Sequence, residues 1–175
     1  GLAVLVPAAS LAGGSTTFLF VGEGAEKEKI VAAARRCGGD VRFAGGVPRE
    51  RVPAIYAAAD VCLVSLRKTP LMETFLPSKA FEAFGAARPV VAAVAGEARA
   101  LLEAGPGAVV VPPGDAPALA AAVARLAADP EGTRDLGRRA RRRAEREFDR
   151  DALARRYLDV LGRVVEADRR RRRGA

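Results

Sequence analysis

Pro77, Ser78, Lys79 and Glu82 stand together in "TFLPSKAFEAFGAARPVV" (Thr74 to Val91), with the spacing of an anion site joined to a diol site. Proline at the first position of a helix gives up no donor that the helix needs, so Ser78 and Lys79 present N–H groups at its mouth. The helix dipole puts about half a positive charge there, and Lys79 adds a whole one. Glu82 follows Ser78 by four residues. It therefore lies on the same edge one turn deeper, where a carboxylate accepts two hydrogen bonds from a vicinal diol. Phosphate at the mouth and ribose on the carboxylate describe a nucleotide. The same residues also describe a capped surface helix with a solvated polar edge, and spacing alone does not separate the two. Arg67 and Lys68, after the apolar "VCLVSL", stand where they add positive charge to the mouth.

Three more loops carry residues of interest. "VGEGAEKE" (Val21 to Glu28) begins as a dinucleotide fingerprint, but Lys27 takes the place of the third glycine, and the next strand ends in Gly45-Gly46 rather than in an acid for a ribose. That argues against a nicotinamide or flavin site. Gly24 reads as a tight turn, and Gly22 also permits a ligand to approach the backbone. In "FAGGVP", Gly45, Gly46 and Val47 either let a planar base lie against backbone amides or form only a turn before Pro48. In "VAGEARALLEAG", Glu97 complements a helix dipole or faces the same crevice.

The elements that must position these loops alternate along the chain. "TTFLFVG", "VRFAGG", "DVCLVSL", "RPVVAAV" and "GAVVVPPG" are short apolar runs closed by turn residues, and segments of helical period lie between them. Strands that read as uninterrupted apolar runs, each followed by a helix, predict an α/β fold with a parallel sheet covered on both faces. Ligands of such sheets bind outside the carboxyl ends of the strands, where these loops fall. Glu131 to Val165 reads as helical, and Arg169 to Ala175 as a basic disordered tail outside a single domain over residues 1–168.

Composition removes whole classes of chemistry. The chain of 175 residues has no histidine, which excludes Ser-His-Asp and Cys-His catalysis and imidazole-ligated zinc within it. Cys37 and Cys62 are far apart in no metal or redox pattern, as expected of a reducing compartment. "DRD" (Asp149 to Asp151) has the letters of a metal motif but lies between two arginine-rich helical segments, so Asp149 or Asp151 is expected to be a helix cap. The segment from Arg134 to Ala175 holds 16 arginines and 8 acids, the whole of the net +8, and leaves the body neutral. No apolar run is long enough to span a membrane and no stretch reads as a signal peptide, so a soluble, cytoplasmic domain is expected. The abrupt opening "GLAVLVPAASLA" fits a fragment of a longer protein.

The succession "FLFVGEG", "VRFAGGVP", "IYAAADVCLVSL", "PSKAFEAFGAARPVVA", "GEARALLEAG", "VVVPPGD" and "LAAAVARLAADP" resembles the C-terminal, donor-binding half of GT-B glycosyltransferases of the GT4 type, over nearly the whole chain. "TPLMETFLPSKAFEAFGAARPVV" is most similar to a bacterial polysaccharide branch with fucosamine-transferase-like members. The resemblance implies a Rossmann-like domain and a retaining transfer of a sugar from a nucleoside diphosphate, UDP above all, to a glycan or lipid-linked acceptor. It implies no metal and no cofactor. The acceptor would be held by a separate N-terminal domain, without which this chain is expected to be inactive. It also implies that Glu82 binds the ribose, that the backbone at Ser78 and Lys79 holds the diphosphate, and that the Gly45 to Val47 loop holds the base.

Several positions depart from that pattern. Thr74 stands eight residues before Glu82, where many relatives have a glutamate, and Glu73 is one place off. Pro77 replaces a frequent glycine and Ala87 replaces the glycine usual before "RPVV", at a cost near ~1 kcal/mol if a positive φ is required there. Pro7 falls inside the expected first helix, which should be late, kinked or poorly ordered. An arginine and a lysine that relatives bring to the diphosphate precede the start of this chain. Two other readings remain: a module whose basic tail binds nucleic acid or an acidic surface, and a sugar-nucleotide epimerase of the same architecture. A donor-binding domain needs no nucleic acid, and its basic end fits peripheral contact with an anionic inner membrane.

Overall fold

The computed structural model describes residues 1–14 and 16–173. A 3-10 turn over Leu2–Val4 leads into α1 (Leu5–Ala12), followed by β1 (Thr17–Phe20), α2 (Lys27–Ala34), β2 (Asp40–Phe43), α3 (Val52–Ala58) and β3 (Cys62–Ser65). Then come α4 (Pro70–Glu73), α5 (Ser78–Gly85), β4 (Val90–Ala93), α6 (Gly96–Glu103), β5 (Ala108–Val111), α7 (Ala116–Ala128), α8 (Pro130–Glu147) and α9 (Arg150–Arg173). Pro7 does not disrupt α1, because it stands in the first turn, where a missing donor costs little, and the helix begins late, after the 3-10 turn.

Every strand pairing is parallel. β1 pairs with β2, Thr17 opposite Asp40, and β3-β4-β5 form a second ladder with Cys62 opposite Val90 and Val90 opposite Ala108. The expected single sheet is thus divided into two ladders, with Phe18 of β1 packing into the same core as β4 and β5.

Strand β4 explains why both faces are covered. All four of its residues are buried, and the two-residue period of a strand sends them to opposite sides. Val91 and Ala93 join Phe18, Leu5, Leu119 and Val123, under α1 and α7. Val90 and Ala92 join Val64, Ala80, Phe84 and Leu102, under α5, α6 and α8. The alanines let helices approach closely.

The connection from α5 to β4 is tight. Ala87 has φ 56, the positive value anticipated from the missing glycine, and its carbonyl lies where only Gly137 of α8 leaves room. Gly107, at φ 125, likewise clears Phe84 and Ala140. Arg143 of α8 is 3% exposed; it donates to the Leu101 carbonyl at the end of α6 (2.8 Å) and to Glu147 (2.8 Å), with its guanidinium over the Phe148 ring.

The C-terminal segment differs from expectation. Residues 169–173, expected to be disordered, continue α9 as helix, since arginine is a good helix former and Asp168 pairs with Arg172 one turn on at 2.8 Å. Residues 174 and 175 lie outside the described residues. Asp149 caps α9 by accepting from the Ala152 amide (2.8 Å), as a cap reading of "DRD" requires. Among the described residues no helix is long and apolar enough to cross a membrane, and no cluster of three or more His, Cys, Asp or Glu side chains could hold a metal ion.

Candidate functional site

Hydrogen bonds between the loops place them along one edge of the parallel strands. The loops after β1 and β2 are joined where the Gly22 amide donates to the Gly45 carbonyl at 2.6 Å. Both glycines have positive φ, 117 and 67, which a side chain would strain. The Glu23 carboxylate then accepts from the Gly46 amide at 3.2 Å while paired with Lys27 at 2.8 Å. Lys27 holds that carboxyl below the usual carboxylate range. The loop after β3 joins the same row through Arg67, whose guanidinium meets Glu26 at 2.7 Å.

Beyond Arg67, Thr69 caps the short helix α4 by accepting from Met72, and the carbonyl of Glu73 at its end lies against Gly96, where a Cβ would collide. Gly96 opens α6 after β4, with φ 59. The segment leading into α5 is therefore pinned between the ends of β3 and β4. Thr74 closes α4 as its C-cap, its hydroxyl donating to the Leu71 carbonyl (3.1 Å), so that side chain is used locally.

At the mouth of α5, Pro77 is the N-cap rather than the first helical residue, and the helix starts at Ser78. The shift by one residue leaves the expected donors in place. The Pro77 carbonyl accepts from Ala80 at 3.1 Å, and no side chain caps the helix, so the Ser78 and Lys79 amides have no acceptor within it. Ala80, Ala83 and Phe84 anchor the inner face in the core, while Ser78, Lys79 and Glu82 are exposed. Glu82 Oε2 accepts the Tyr56 hydroxyl of α3 at 3.0 Å. Burial, with the Glu82 carboxylate second, pushes the Tyr56 phenol well above its ordinary pKa.

The structure thus brings Gly22, Gly45 and Gly46 together, ties Arg67 to the β1 loop, and leaves Ser78, Lys79 and Glu82 as one exposed strip. Arg67 is charge-paired with Glu26 and does not add an uncompensated cation. Val47 is half-buried before Pro48, and Glu97 lies exposed in the first turn of α6. Two partners were missed by sequence reasoning. Glu23 holds the Gly46 amide and Tyr56 holds Glu82, contacts that span 23 and 26 residues. Their only local signals were an acid between two glycines and a lone tyrosine in an alanine-rich helix. Cys62 offers no thiolate chemistry, since burial pushes its thiol up to about 11.

Residues 1–129 match the Glycosyl transferases group 1 family. No curated protein matches the chain by sequence. Among solved structures, HepE of Anabaena in complex with UDP and glucose aligns with TM-score 0.79 and 25% identity, covering 93% of this chain and 44% of that one. A sucrose-phosphate synthase of Thermosynechococcus elongatus aligns with TM-score 0.75 and 28% identity over 95% of this chain and 43% of its own. AviGT4, a glycosyltransferase involved in avilamycin A biosynthesis, shares the fold at TM-score 0.71 and 22% identity, over 95% of this chain and 48% of that one. The chain spans less than half the length of each.

Proposed function

The chain belongs to the Glycosyl transferases group 1 family, and from that premise we propose that it is the part of a glycosyltransferase that binds the nucleotide-sugar donor. The observation that carries this reading is the uncapped mouth of α5, with the exposed Ser78-Lys79-Glu82 strip on a helix whose other face is fixed in the core. The amides of Ser78 and Lys79, the dipole behind them and the Lys79 ammonium form a binding place for a diphosphate. Glu82 takes the ribose diol. The paired glycine loops, down to Val47, take the base, and a glycine backbone suits a planar ring.

In this reading the chemistry of the chain is leaving-group stabilisation. As the bond from the anomeric carbon to the phosphate oxygen breaks, its electron pair moves onto the diphosphate. The α5 amides and Lys79 meet the charge that develops there. The acceptor hydroxyl forms the new bond to the anomeric carbon and passes its proton to the departing diphosphate oxygen. A second domain of the same enzyme, corresponding to the rest of the matched structures, presents the acceptor, a glycan or a lipid-linked sugar. UDP is the favoured carrier because the HepE structure at 25% identity holds UDP. Transfer with retention, independence of metal and cofactor, a role in bacterial polysaccharide synthesis, a cytoplasmic place and peripheral contact with an anionic membrane belong to the same proposal.

Titration of the chain with UDP, GDP and ADP, followed by amide chemical shifts, tests it. Binding in the millimolar range is expected, on the order of −4 kcal/mol, because the chain spans less than half the length of the matched structures and holds the donor from one side only. Shifts should fall on Ser78, Lys79 and the Gly45 to Val47 loop. Shifts confined to α8 and α9 would count against the donor site and for a basic surface that binds any polyanion.

A further inference from the structure

The carboxylate of Glu82 is not left to find its own orientation. Tyr56 donates its hydroxyl to Oε2 at 3.0 Å across 26 residues of chain. The Tyr56 ring is half-buried against the cluster that holds Val64, Ala80, Ala83 and Phe84, so the core sets the ring and only the hydroxyl reaches the edge. Burial raises the phenol's pKa, and Tyr56 therefore stays protonated and acts as a donor throughout the working pH range. A carboxylate has about four lone-pair directions, and Tyr56 takes one of them. Both directions on Oε1 and one on Oε2 remain for a ligand.

We infer that Tyr56 is a positioning residue that holds the Glu82 carboxylate in the orientation needed to accept a vicinal diol. The inference rests on the reading of the α5 mouth as a nucleotide site. An exposed glutamate loses rotamer freedom when it binds, whereas one anchored through Oε2 has lost much of that freedom already. The anchor also decides which oxygen faces the ligand. Tyr56 touches no ligand in this arrangement and acts only through Glu82.

Tyr56→Phe keeps the ring and its packing and removes only the hydroxyl. The test titrates the full chain and Tyr56→Phe with UDP and with 2′,3′-dideoxy-UDP, each variant first shown by urea denaturation to be folded. Loss of one hydrogen bond to a charged group predicts roughly 3- to 10-fold weaker UDP binding by Tyr56→Phe. Binding of the dideoxynucleotide should stay within about 2-fold, because it has no diol to present. In a Glu82→Ala background, Tyr56→Phe should have no further effect on UDP binding. The inference is overturned if Tyr56→Phe binds UDP as well as wild type does, or if it weakens the dideoxynucleotide as much as UDP. A wild type that prefers UDP over the dideoxynucleotide, beside a Tyr56→Phe with the same preference, overturns this inference alone. A wild type without that preference overturns the ribose reading together with it.

Discussion

Helices α5 and α9 differ in what holds them. The eight residues of α5 put Ala80, Ala83 and Phe84 into the core, which leaves Ser78, Lys79 and Glu82 on a strip of fixed direction. The 24 residues of α9 are exposed at nearly every position up to Arg172, including Leu153, Tyr157, Leu161 and Val164. The net charge of the chain lies in α8, α9 and the residues after them, yet the uncapped mouth of α5 lies on the neutral body. Charge alone does not make a site. A side chain must be aimed, and burial of the opposite face does the aiming.

Breaking the anchored side should have the largest effects. Phe84 is fully buried between β4, α8 and Gly107, so Phe84→Ala is expected to cost about 3–5 kcal/mol in urea denaturation and to abolish nucleotide binding with it. Arg143→Ala removes the bonds to the Leu101 carbonyl and to the half-exposed Glu147, and should cost roughly 1–3 kcal/mol by the same measurement. Ala87→Gly should go the other way. It relieves the positive φ of an alanine, stabilising the domain by up to ~1 kcal/mol and leaving nucleotide affinity unchanged.

Acid should act gently. Lys27 holds the Glu23 carboxyl below its ordinary value, and the arginines beside Asp40 and Glu147 do the same there. Groups with depressed folded pKa values contribute stability that is present above the unfolded pKa, about 4, and is lost as pH falls through the folded value. The urea midpoint should therefore hold steady from pH 7 down to about 5 and decline below about 4. On the unanchored side, a chain ending at Asp168 should match the full chain in stability within ~0.5 kcal/mol and in UDP affinity. Only its salt-dependent adhesion to polyanions should fall.

The same contrast explains what could be read from the sequence. Parallel strands were legible because each is an apolar run, and the α5 mouth because Pro77, Ser78, Lys79 and Glu82 lie within six residues. The positive φ at Ala87 was legible only through the resemblance, whose members usually carry glycine there. The contacts of Glu23 and Tyr56 were not, because packing between distant segments creates them. Neither was the division of the sheet, which depends on pairing between strands distant in sequence. Helix α4 was missed although Thr69-Pro70 is a recognisable start, because four residues give no period to detect. The helical Arg169 to Arg173 shows that a favourable propensity and one i,i+4 pair can outweigh the repulsion between like charges.

The claim that Glu82 is a ribose ligand on a rigid helix is tested most directly by titrating wild type and Glu82→Ala with UDP and 2′-deoxy-UDP. Charge-assisted hydrogen bonds are worth roughly 1.5–3 kcal/mol, so Glu82→Ala should bind UDP about tenfold more weakly or worse while its urea midpoint stays unchanged. The deoxynucleotide should bind wild type more weakly than UDP does and should be nearly indifferent to the substitution. If Glu82→Ala unfolds the domain, or binds UDP as tightly as wild type does, Glu82 is a surface carboxylate of a structural helix and the account is wrong.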